Sequence, residues 1–147
     1  MKLVTALVLA ALAGCQKAPS VISQSDLDEI VAANPGLTDG CKTELRETGR
    51  FNPFDGECFR TMPPRRWKGI WNAGWEWSNF CPAPASTCGV SFEDDEMALQ
   101  FGKGVGDIEA SLDGTFAIEF EGRRTSVASH YGHLGQYPHM IMVDRLV

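Results

Sequence analysis

From Arg66 onward the chain abandons helical spacing for strict alternation, and no other feature limits its fold so narrowly. Trp67, Gly69, Trp71, Ala73, Trp75 and Trp77 all fall at odd positions, so an extended backbone puts every tryptophan on one face. The glycines at 69 and 74 argue against the helix that a 67, 71, 75 spacing would also allow. Asn72, Ala73 and Gly74 predict a bend that divides the stretch into two strands. Met97, Leu99 and Phe101 alternate with Ala98 and Gln100. Ile108, Ala110 and Leu112 do the same, Asp113-Gly114 supplies a two-residue turn, and Phe116, Ile118 and Phe120 resume the pattern as the second arm of a hairpin. A short strand is expected at Thr125 to Ser129. The chain closes on His139 to Val147, apolar on both faces as a central or closing strand requires.

Before this region the periodicity is helical. Ser25 is placed to cap a first helix with Asp28 three residues on, Leu27, Ile30 and Val31 form its apolar stripe, and Asn34-Pro35-Gly36 stops it. Thr38 is placed to cap a second helix through Glu47, ended by Gly49, with Cys41 and Leu45 on its inner face. The resulting organisation is a leader at 1–14, a tether at 15–24 and one globular domain at 25–147, in which 25–64 form a helical and loop cap and 65–147 the β portion. The expected fold class is mainly β. About five or six short antiparallel strands after one or two short helices form a small β-barrel, preferably of the oligonucleotide/oligosaccharide-binding (OB) kind, or a sandwich.

The address is written at the start. Lys2 precedes an apolar run of about nine residues, Leu3 to Ala11, far below the roughly twenty that cross a bilayer, and small residues follow. Leu12-Ala13-Gly14-Cys15 resembles the lipobox of bacterial lipoproteins. That resemblance implies cleavage before Cys15, acylation of its thiol and a membrane anchor. Gln16 resembles the residue after the cysteine in members sorted to the outer membrane, which implies residence on its inner leaflet, facing the periplasm. Export also bears on Cys41, Cys58, Cys81 and Cys88, an even set that reads as two disulfides in an oxidising compartment. Cys41 with Cys58 and Cys81 with Cys88 close the shortest loops. Zinc is the competing use of these thiols, but no Cys-x-x-Cys knuckle is present. Gly69-Ile70-Trp71 resembles the Gly-x-Trp element of lipocalins, which would imply a larger, eight-stranded ligand barrel.

The 147-residue chain carries a formal charge of −6, which excludes the electrostatic footprint of a general nucleic-acid binder. Its expected partners are therefore the membrane, through the anchor, and an envelope protein or glycan. No cofactor is called for. Trp71, Trp75 and Trp77, with Glu76 beside them, are candidates for stacking on sugars or lipids, and core filling is their competing role. His130, His133 and His139 share a glycine-rich loop with Tyr131 and Tyr137 and are candidates for a metal site or for hydrolytic chemistry, against a structural role for each imidazole. Ser126 or Ser129 with His130 and Asp144 can be drawn as a triad, without a Gly-x-Ser-x-Gly elbow to support it. Gly102, Gly104 and Gly106 around Lys103 miss the phosphate-loop spacing. Glu93 to Glu96 lack the ligand spacing of a calcium loop. Arg65-Arg66 and Arg123-Arg124 flank strand ends, where either pair is able to meet an anion. The sum favours a non-catalytic, membrane-anchored binding module.

Overall fold

The first helix begins two residues earlier than its sequence signals suggest. In the computed structural model, which describes residues 22–52, 56–74, 76–89, 96–105 and 113–147, the Ser23 hydroxyl accepts the Asp26 amide at 3.2 Å and helix α1 runs Gln24–Ala33. Ser23 rather than Ser25 holds the extended backbone that a cap needs, and Gln24, assigned above to the tether, already belongs to the helix. Thr38 caps α2, Asp39–Thr48, and Gly49 ends it at φ 70° with its amide donating to the Leu45 carbonyl at 2.8 Å. That left-handed conformation suits a glycine. The leader, Cys15 and most of the tether lie outside the described residues.

Among the described residues five strands follow: β1 Arg65–Ala73, β2 Ser78–Pro82, β3 Met97–Phe101, β4 Gly114–Arg124 and β5 Met140–Leu146. They close a barrel in the order β1-β2-β3-β5-β4, with β4 returning to β1. A closed five-stranded barrel of this kind is the OB-like architecture, and closure leaves no free sheet edge. The sandwich and the eight-stranded lipocalin alternatives are thereby corrected. One pairing also departs from the antiparallel expectation, because β3 and β5 run parallel. β4 intervenes in sequence but pairs on the β1 side, so the strand that closes the gap beside β3 has to run in the same direction as β3.

The alternation decides what fills the barrel. Trp67, Trp71 and Ala73 of β1 pack inward with Phe80, Met97, Leu99, Phe120, Ile141 and Val143. Phe80 and Phe120 meet edge to face with centroids 5.1 Å apart, and Trp71 lies 5.0 Å from Phe101 and 5.5 Å from Phe116. Side chains of this bulk fill a barrel this narrow. Gly69 is what lets β1 lie so close to β2, since a Cβ there would stand 2.7 Å from Phe80 Cζ and overlap the Cys81 carbonyl. The Gly-Ile-Trp sequence therefore serves this contact.

A second core covers the outside of the parallel pair. Ala98 of β3 and Met140 of β5 point outward and pack with Leu37, Cys41, Cys58, Phe59, Tyr131 and Tyr137. This explains why β5 is apolar on both faces. Cys41–Cys58 ties α2 to the 3-10 turn at Gly56–Cys58, and Cys81–Cys88 closes the loop after β2, so both local pairings form. The strand expected at Thr125 to Ser129 is replaced by a single bridge between Thr61 and Thr125, followed by bends. The first arm of the expected Asp113-Gly114 hairpin, Ile108 to Leu112, lies outside the described residues.

Candidate functional site

The tryptophans do not share one surface. Trp67 and Trp71 are buried in the barrel, 5% and 2% exposed. Trp71 donates its indole N–H to the Ser78 hydroxyl at 3.0 Å. It is unable to stack on a ligand without opening the core, which corrects its place among the candidate binding residues. Trp75 lies outside the described residues. Glu76 is exposed, and Trp77, 38% exposed, leans over Gly74 on the turn between β1 and β2. The Gly74 amide donates to the Trp77 carbonyl at 2.9 Å, which fixes that turn. Of the aromatic set, Trp77 alone among the described residues offers an indole to solvent.

The three histidines also separate. His130 Nδ1 lies 3.2 Å from the Gly135 carbonyl, and His133 is exposed on the 3-10 turn His133–Gly135. His139 is half-buried with Nδ1 3.2 Å from the Thr125 hydroxyl, which accepts the Met140 amide at 3.1 Å. Burial, and then the Arg124 cation, hold His139 below the usual histidine range, so the neutral ring is the favoured form. Among the described residues only Cys41, Glu44 and Cys58 gather as potential metal ligands, and the two sulfurs are already joined. The expectation of a metal site or hydrolytic centre on His130, His133 and His139 therefore has no converging geometry. Tyr137 is buried beneath this loop, and burial together with the Glu96 charge pushes its phenol up to about 12.

The remaining chemistry drawn from sequence is likewise dispersed. Ser126 donates to the Arg60 carbonyl at 3.1 Å, Ser129 to the Ala33 carbonyl at 3.4 Å, and Asp144 is gripped by Arg123. No triad assembles from residues so engaged. Gly102 makes a turn with Val105, its amide donating to the Val143 carbonyl at 2.9 Å. Glu93, Asp94 and Asp95 lie outside the described residues.

The two arginine doublets are the sequence feature that the fold sorts most clearly. Arg66 pairs with Glu119 at 2.7 Å, and Arg123 holds Asp144 through Nε at 3.1 Å and Nη2 at 2.9 Å. With Arg145 on Glu121 these pairs lie on the outer face of β1, β4 and β5. Their neighbours Arg65 and Arg124 have the opposite parity. Arg65 belongs with Trp67 and Trp71, and Arg124 with Phe120 and Gly122, so both end the inward-facing rows at one mouth of the barrel. There Met62, Pro63, Arg65, Trp67 and Arg124 line an open cleft of about 150 Å³.

The Arg65 guanidinium lies 3.6 Å from the centre of the Trp67 ring, and the Trp67 N–H donates to the Gly122 carbonyl at 3.0 Å. The Met62 amide donates to the Arg124 carbonyl at 2.8 Å, holding one wall against the strand end. Met62 and Pro63 carried no signal in the sequence, whereas the parity of Arg65 with Trp67 did. Comparison with protein-family models, with curated proteins and with solved structures found no match for this chain.

Proposed function

We propose that this chain is an exported, lipid-anchored and non-catalytic binding module of the bacterial cell envelope. Cys15 holds it on the inner leaflet of the outer membrane, and the barrel rim meets an envelope protein or ligand in the periplasm. The observation that carries this reading is the pair of disulfides downstream of Leu12-Ala13-Gly14-Cys15, since such bonds persist in oxidising compartments. Two further points support binding over catalysis. The barrel interior is occupied by its own side chains, and the serine, histidine and aspartate residues available for a triad are committed elsewhere.

The test is expression in a diderm bacterium with labelled palmitate. The chain should carry label and fractionate with the outer membrane, and Cys15→Ala should lose both properties. Unlabelled full-length chain in the cytosol, or free thiols at positions 41, 58, 81 and 88, would refute the proposal. A second reading, glycan contact at the β1–β2 turn, is favoured by the exposed Trp77 beside Glu76. Peptidoglycan fragments should then shift tryptophan emission in the native chain and not in Trp77→Ala, and a flat response across a glycan panel removes it.

A further inference from the structure

We infer that the cleft formed by Arg65, Trp67 and Arg124 at the mouth of the barrel is a site for a phosphate monoester or inorganic phosphate. This deepens the reading of the domain as a binding module and does not depend on the anchor. Inward positions of a barrel are apolar along β1 and β4 until these two residues, where both rows end in guanidinium groups. The chain has 19 acidic against 13 basic residues, and three nearby arginines on the outer face have found carboxylates. Among the described residues no carboxylate is paired with Arg65 or Arg124. Two like charges lining one small cleft repel each other, and an anion between them relieves that cost.

The shape of the donors selects the anion. Arginine presents a planar fork that takes two oxygens at once. One fork engages both oxygens of a carboxylate edge-on, whereas a phosphate monoester offers three terminal oxygens and a charge approaching −2, which matches two forks carrying two positive charges. Arg65 is already oriented by stacking on Trp67, which lowers the ordering cost of using it. Met62 and Pro63 give the cleft an apolar wall that suits an organic substituent on the phosphate.

The experiment is titration calorimetry on the full chain, purified in a non-ionic detergent, with inorganic phosphate, phenyl phosphate and benzoate. Both phosphates should bind saturably and benzoate more weakly than phenyl phosphate. The tighter of the two phosphates names the source, free or organic. Arg65→Gln and Arg124→Gln should each weaken binding by about tenfold or more, the loss expected for one charge-assisted contact, and Arg66→Gln should leave it unchanged. Arg124→Lys, which keeps the charge and loses the fork, should fall between. If Arg124→Gln fails to fold, Arg65→Gln decides, because Arg65 is exposed at the rim. Absence of saturable phosphate binding, equal affinity for benzoate and phenyl phosphate, or unchanged binding in Arg65→Gln overturns the inference.

Discussion

Replacing both Cys41 and Cys58 by alanine should detach the helical cap from the barrel before the barrel itself unfolds. The two cysteines are 17 residues apart, and in the chain-entropy expression a loop of that length stabilises by about 3.1 kcal/mol at 25 °C. Cys81 and Cys88 are 7 apart, for which the same expression yields about 2.4 kcal/mol. All four sulfurs are buried, so each alanine also removes a methylene-sized group worth roughly 0.8 kcal/mol. The first pair should therefore cost about 4 to 5 kcal/mol and the second slightly less, a large share of the 5–15 kcal/mol typical of a domain.

The assay follows from where the chromophores lie. All four tryptophans belong to the region from β1 to β2, and among the described residues the α-helices lie only in the cap. Urea unfolding followed by helical circular dichroism reads the cap, and indole emission reads the barrel. In Cys41→Ala/Cys58→Ala the helical signal should fall at lower urea than the emission. In Cys81→Ala/Cys88→Ala the two should move together, since that loop lies beside β2. Coincident probes in the first variant, with a loss below about 1 kcal/mol, would refute the view that this bridge holds α2 on the outer face of β3 and β5.

Gly69→Ala should destabilise by about 1–3 kcal/mol or more, because the new methyl meets the Phe80 ring and the Cys81 backbone, whereas Gly40→Ala, with open space around it on α2, should stabilise by about 0.5–1 kcal/mol; equal effects in thermal melts would contradict the packing described for β1 and β2. Phe80→Ala should cost about 3–5 kcal/mol in urea unfolding, since its ring is wholly buried between Trp67 and Phe120. His139 is held below its unfolded value of 6.5, so its neutral form supports the fold at and above that pH, and this support is lost as pH falls through the lowered folded value. Stability measured from pH 7 downward should decline in the native chain and less steeply in His139→Gln; identical slopes would show that His139 contributes nothing.

Much of the fold was legible because the signals act over short distances. Thr38 and Gly49 delimit α2 through groups three or four residues away, and Cys81 meets Cys88 across a loop too short to hold many alternatives. Ser23 and Ser25 stand two residues apart, and which of them caps α1 depends on backbone angles that the spacing does not specify. Trp71 and Trp77 share an alternation frame, yet the turn at Gly74 ends the strand between them, so one fills the core and the other stands at the rim.

Local pattern thus reaches as far as the caps and ends of α2, the alternation of β1 and β5, and the pairing of cysteines that stand close in the chain. The direction of β5 beside β3, the outer core over Ala98 and Met140, and the meeting of Arg65 with Arg124 at one mouth were decided only by the closed barrel. Those contacts join residues tens of positions apart, and they follow from strand order, which no local pattern encodes.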